Sequence, residues 1–227
     1  MQQRSFRLLI IALGIALPAA SQAQGSVAGQ VSILERDRES TVDLGNAIIY
    51  LEPVTPSKTK PRELRSLIAL QARAFQPRVR VVPVGSKVEF PNQDSFNHNV
   101  FTNSALGEFD LGVYGKSESR DARFRRAGVY PIYCNIHARM TGYVVAVATP
   151  YFTQPGIDGR FVIPSVPEGK YRLSVWHERA PAQAREIEVS ASGVDGVSVQ
   201  LDASGFKRLT HKNKFGQEYK STGGDRY

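Results

Sequence analysis

Cysteine is almost absent from this sequence, with Cys134 the only one in 227 residues. One cysteine excludes an internal disulfide and excludes haem attachment through Cys-x-x-Cys-His. Methionine and tryptophan are nearly as scarce, at two and one. No run approaches the roughly 20 apolar residues of a membrane-spanning helix, and no helical apolar period persists for three turns. A transmembrane anchor and a helical bundle are therefore not expected. Nucleic acid is not expected as a partner either, because the basic residues are scattered and no nucleic-acid motif accompanies them.

The longest apolar run, Leu8 to Leu17, follows Arg4 and Arg7 and leads into the small-residue stretch Pro18 to Ala23. That pattern is a secretory signal peptide, residues 1–23, with cleavage after Ala23, so the mature chain is expected in the periplasm or outside the cell. The signal carries two arginines and no acid, and its loss lowers the formal net charge from +8 to +6. A basic surface of this kind attracts an acidic partner or an anionic membrane surface. In an oxidising compartment a lone thiol must be buried, joined to another chain or bound to metal.

Short valine-rich or alternating runs separated by Gly, Pro, Asn and Asp predict an all-β fold. Strands are expected at 27–34, 47–51, 78–84, 87–90, 99–102, 129–134, 143–148, 160–163, 171–177, 185–189 and 196–201. The proline-rich stretch 56–66 reads as a linker, a second boundary falls near Thr149-Pro150, and 202–227 reads as a basic, surface-hugging or disordered tail.

The chemistry concentrates in Cys134-Asn-Ile-His137-Ala-Arg-Met140, preceded by Phe90-Pro-Asn-Gln-Asp-Ser-Phe-Asn-His98-Asn-Val-Phe101. The only cysteine, the only methionine besides the initiator and one of four histidines lie within seven residues. Two imidazoles, a thiolate and a thioether are the donor set of a mononuclear blue-copper site. The soft sulfur donors suit Cu(I), while imidazole accepts both oxidation states. A thiolate-bridged dinuclear site lacks its second cysteine, and a multicopper oxidase would need His-x-His pairs that do not occur. A cysteine nucleophile served by His98 or His137 would leave Met140 unexplained.

Gly128-Val-Tyr130-Pro-Ile-Tyr133-Cys134-Asn-Ile-His137 resembles the cupredoxin family, plastocyanin and amicyanin in particular; the short gap to Met140 is closer to amicyanin. Ala74-Phe-Gln-Pro77, Val84-Gly-Ser-Lys-Val88-Glu-Phe90-Pro-Asn92 and His98-Asn-Val100 are similar to the family's earlier strands, so the resemblance covers about Leu67 to Ala148. It implies a Greek-key β-sandwich over 67–148 with His98, Cys134, His137 and Met140 as copper ligands. It further implies that Asn99 ties the two ligand loops together and that Tyr130 is a structural corner tyrosine. Ile136 stands where the family often has proline, which leaves an extra backbone N–H near the thiolate. Pro131, within a strand, must sit where its missing N–H interrupts no ladder.

Asp158-Gly-Arg-Phe161-Val-Ile163 and Val166-Pro-Glu-Gly169-Lys-Tyr171-Arg-Leu173-Ser-Val175 resemble the carboxypeptidase regulatory-like, transthyretin-like sandwich, a module without catalysis. That fold's opening strands would be 24–55, ahead of the copper segment, so the cupredoxin is expected to be inserted into a second small sandwich completed by 149–201. His177 is expected at a rim, and the segment around His211 either solvated or docking an acidic redox partner. The expected role is transient single-electron transfer without catalysis. The rival reading is a copper-binding accessory that buffers or delivers the ion.

Overall fold

The computed structural model describes residues 24–36, 41–56, 59–207 and 210–219, and the expected signal segment 1–23 lies outside them. The regular structure is β, with a 3-10 turn at Leu44–Asn46 and no α-helix among the described residues. In chain order the strands are β1 (Gln24–Leu34), β2 (Ile48–Pro53), β3 (Arg65–Leu67), β4 (Ala69–Gln71), β5 (Ala74–Gln76) and β6 (Val79–Pro83). There follow β7 (Lys87–Pro91), β8 (His98–Thr102), β9 (Phe109–Tyr114), β10 (Ser119–Arg123), β11 (Gly128–Tyr133) and β12 (Thr141–Val147). The chain ends with β13 (Phe152–Thr153), β14 (Arg160–Pro167), β15 (Gly169–His177), β16 (Ala180–Val189) and β17 (Val194–Asp202).

Strands from both sides of the middle segment form one pair of sheets, ordered β14-β1-β17 and β13-β2-β15-β16. Their alternation buries Val27, Val31, Ile49, Leu51, Phe161, Ile163, Leu173, Val175 and Leu201 in a single core. Gly159, at φ +78°, turns the chain into β14; a Cβ there would stand 2.1 Å from the Val31 carbonyl oxygen, so only glycine fits. The middle segment forms its own sheets, β6-β12-β11-β8-β9 and β10-β7-β3, with the β4–β5 hairpin beside them. They enclose a second core that includes Phe90, Val100, Phe124, Tyr130, Ile132, Cys134 and Met140. Each core has a corner tyrosine: Tyr130 donates its hydroxyl to the Arg126 carbonyl (2.9 Å) and Tyr171 to that of Pro167 (2.9 Å). Pro131 pairs with Tyr143 on β12, while β11 meets β8 at Tyr133 alone, so no ladder on that side runs past the proline.

A third apolar cluster, Ile48, Val79, Val145 and Val147, joins the two cores. Beside it Glu178 accepts two hydrogen bonds from the Arg78 guanidinium, at 2.5 and 2.7 Å, and Trp176 packs edge-on against Tyr143.

The structure departs from expectation in three places. The stretch expected as linker up to residue 66 already contains the start of β3, which pairs with β7. Strands β3, β4, β5, β9, β10 and β13 carry too short or too charged an alternation to be read; β10, Ser-Arg-Asp-Ala-Arg, buries only Ala122. His177 is buried, not at a rim, and its Nε2 lies 3.3 Å from the Asp43 carbonyl oxygen. Next to it the Arg179 guanidinium donates to both carboxylate oxygens of Glu35 (2.7 and 2.8 Å) and of Asp43 (2.9 and 2.6 Å).

Two expectations follow. A fragment spanning residues 150–227 lacks β1 and β2, which supply five of the seventeen buried residues of one core, and should show no cooperative unfolding; replacing residues 65–149 of the full chain by a Gly-Ser linker should restore it. The second concerns Glu35, whose carboxyl the Arg179 guanidinium holds at about 2. A depressed carboxylate contributes stability above its unfolded pKa and loses it as pH falls through the folded value. Glu35→Gln should therefore cost about 2–3 kcal/mol at neutral pH. Denaturant titrations should show that gap narrowing below about pH 4.5 and vanishing near about pH 2.

Candidate metal centre

The loop between β7 and β8 is folded by Asn92. Its buried side chain donates to the carbonyls of Phe96 (2.9 Å) and Tyr114 (3.2 Å) and accepts from the Asp94 amide (3.0 Å). Asp94 is thereby aimed at two partners. Its carboxylate accepts the amides of Ala72 (2.8 Å) and Arg73 (3.0 Å), the left-handed turn residues of the β4–β5 hairpin, and it meets Nε2 of His98 at 2.8 Å. Burial raises the Asp94 carboxyl, but the Arg73 and Ala72 amides and His98 outweigh it and leave it below the usual carboxylate range. An ionised Asp94 requires Nε2 of His98 to carry the proton. The lone pair is then on Nδ1, which stands 3.7 Å from Cys134 Sγ.

Cys134 follows β11 and Met140 precedes β12, so the ligand segment is the turn of a hairpin. The turn closes on itself: the Cys134 amide donates to the Met140 carbonyl (3.1 Å) and the Met140 amide to that of His137 (3.0 Å). This brings Nδ1 of His137 to 3.5 Å from Sγ. The donor atoms of His98, Cys134 and His137 all lie within 4.8 Å of one another. His98 and Cys134 are fully buried, His137 is half-buried, and Met140 is buried in the same core as Cys134. Phe96 packs against both imidazoles, at 5.2 and 5.5 Å between ring centres, and the Arg73 guanidinium lies over Phe96 at 5.2 Å.

Burial pushes the Cys134 thiol up, while the backbone N–H groups of Asn99, Ile136 and His137 act in the opposite direction. The amide of Ile136, which a proline would lack, is thus among those acting on the sulfur. A buried thiol with three amides and two imidazole δ-nitrogens around it suits a cation that would hold the sulfur as thiolate. Two nitrogens, a thiolate and a nearby thioether match copper's preferences, so the residues present fit that ion.

The side chain of Asn99 is engaged on β9. Its amide nitrogen donates to Asp110 Oδ1 (2.6 Å) and to the Gly112 carbonyl (2.9 Å), both on β9, and its Oδ1 is buried without a partner. Only its backbone acts on Cys134. Asp94 escaped the sequence reading, although an acid four residues before a candidate histidine in a loop is a usable signal. His211, set aside in the sequence as solvated or docking, stacks on Tyr133 with ring centres 4.5 Å apart.

Replacing Asp94 by alanine should leave His98 in place but free its ring to turn. Copper affinity, measured by competition with a chelator, should fall about 10–100-fold.

No protein-family profile matches this sequence, and no curated protein matches it significantly. Solved structures overlap part of it. The copper-containing nitrite reductase of Thermus scotoductus SA-01 matches 43% of this chain and 26% of its own at 26% identity and a TM-score of 0.36. A purple cupredoxin from Nitrosopumilus maritimus matches 36% of this chain and 99% of its own at 23% identity and a TM-score of 0.33. A Cu(I) amicyanin mutant matches 39% and 97% at 20% identity and a TM-score of 0.35. The chain spans about a quarter of the nitrite reductase and almost all of the two smaller proteins. What it is similar to, over a minority of its length, are copper proteins.

Proposed function

We propose that His98, Cys134, His137 and Met140 hold one copper ion and that the chain carries single electrons between protein partners in an exported compartment. The observation that carries this reading is the convergence of two imidazole δ-nitrogens and one thiol sulfur within 4.8 Å. Copper bound there would supply reversible one-electron chemistry, with sulfur and imidazole donors acceptable to both oxidation states.

The chain's part is to hold those donors still. His98 is fixed through Asp94 to the β4–β5 turn, and the 134–140 turn is closed by its own amides. A site that does not rearrange has little reorganisation to undergo when charge changes, which favours redox work over delivery, where a labile site would serve better. Of the four residues only His137 reaches the surface appreciably. It is flanked by Ile136, which is 42% exposed, and by Ala138 and Phe96, with Arg73 and Arg139 close by. A small apolar contact bordered by arginines suits a transient, acidic redox partner. No helix among the described residues is long and apolar enough to cross a membrane; export rests on the N-terminal segment 1–23.

Cu(II) protein should be intensely coloured through sulfur-to-copper charge transfer and should take up and return one electron in voltammetry. Cys134→Ser should abolish the colour. Met140→Leu should keep copper and colour but move the midpoint potential, since a thioether would be the weakest of the four donors. His98→Ala should loosen the site. A colourless wild-type complex would refute the proposal.

A further inference from the structure

The C-terminal segment 210–219 is folded against the metal centre. Asn213 organises it: its side-chain oxygen accepts the amides of Phe215 (2.9 Å) and Gln217 (3.0 Å), and its own amide donates to the Gln217 carbonyl (2.8 Å). Gly216, at φ +77°, completes the turn. The ordered segment then makes three kinds of contact with the ligand region. The Tyr219 hydroxyl donates to the carbonyl of Cys134 itself (2.8 Å). The Lys214 amide donates to the side chain of Asn135, the next residue (2.9 Å). The His211 ring covers Tyr133, the residue before Cys134, and packs edge-on against Tyr219 at 5.2 Å and Phe101 at 6.3 Å.

The ammonium of Lys214 also pairs with Asp110 Oδ2 (2.5 Å), and the other oxygen of that carboxylate accepts from Asn99. A continuous chain therefore runs from Asn99, beside ligand His98, through Asp110 and Lys214 to Asn135, beside ligand Cys134. The direct link between these two segments that Asn99's side chain does not make is made through the tail.

We propose that residues 210–219 form the outer wall of the metal centre, with Tyr219 and Lys214 as positioning residues that hold the Cys134 end of the ligand turn against the His98 strand. The inference rests on the copper reading above for its redox consequences, while its mechanical content stands on the metal-free chain. Carbonyl-anchoring of Cys134 restrains the sulfur's position directly. Covering Tyr133 closes the cysteine side of the site and leaves the His137 side as the open one.

The test uses the full-length protein, Tyr219→Phe, Lys214→Met, Lys214→Arg and a chain ended after Phe206. Midpoint potential, the charge-transfer band and the rate of Cu(I) loss to a chelator are measured on the loaded protein, and hydrogen exchange of residues 134–140 on the metal-free one. Tyr219→Phe removes one hydroxyl and keeps the ring, so copper loss should quicken about fivefold, the worth of one hydrogen bond. Lys214→Met should act likewise and Lys214→Arg restore the wild-type rate. Ending the chain after Phe206 should shift both potential and band and speed exchange in 134–140 about tenfold or more. If that shortened chain does not fold, Tyr219→Phe decides. A coloured wild type whose potential, band, copper loss and amide exchange are all indifferent to these changes would overturn the clamp alone. A colourless wild type whose 134–140 amides exchange faster without the tail would overturn the copper reading and uphold the clamp.

Discussion

A sulfur that must become an anion is placed in this molecule where anions are least stable. Cys134 is fully buried among Phe90, Ile132 and Met140, and burial alone drives its thiol toward the protonated form. The surroundings are arranged against that tendency. Three backbone N–H groups act on the sulfur, and two imidazole δ-nitrogens face it at 3.5 and 3.7 Å. Each of these groups requires something further. The amides of Ile136 and His137 require a turn closed from Cys134 to Met140, and the His98 lone pair requires an ionised Asp94 on Nε2. Asp94 in turn requires the hairpin turn at Ala72-Arg73 that saturates its oxygens.

The outer sandwich belongs to the same argument. In the β11–β12 hairpin the ligand turn lies at one end and Val129 and Val145, which pack on the third cluster, near the other. Four to five residues of strand separate the ends, roughly 15 Å at about 3.3 Å per residue. The outer sheets therefore grip the hairpin by its base and leave its tip to the site. One contact reaches further along. Arg78, fixed by Glu178 of β15's end, donates to the Thr141 carbonyl (2.8 Å), directly after Met140. Glu178 is nearly inaccessible to solvent, so this pairing is shielded in a way that surface ion pairs are not.

The residue pattern made the candidate donors legible because scarce residue types crowded into seven positions, and a sole cysteine in a chain expected to be exported demands a reason. The long strands were legible for a different cause: β1, β14 and β15 alternate apolar and polar residues with period two over many positions. Where the signal is pairwise it vanished. Asp94 is an unremarked acid until the hairpin turn 21 residues upstream is folded onto it. Lys214 reads as one more basic tail residue because Asp110 lies 104 residues away. Asn99 meets Cys134 through its backbone N–H, while its side chain donates to Asp110 and Gly112 on β9, a pairing that no local pattern signals.

That choice of partners bears on one of the contacts that hold the tail. A carboxylate that accepts from a neutral amide keeps most of its charge, and Asp110, whose side chain is 38% exposed, also meets the Lys214 ammonium. Burial raises its carboxyl, and the pairing with Lys214 is first among the contacts that bring it below the ordinary range. The cation arrives on a segment whose backbone is already shaped by Asn213, so little ordering remains to be offset by the pairing itself. Once Lys214 is placed, its amide meets Asn135 and the following residues bring Tyr219 over Cys134. Segment 210–219, which the sequence presents as surplus charge, thus meets the copper-segment strands partly through one acid, and Asn99, next to the candidate ligand His98, donates to that same acid.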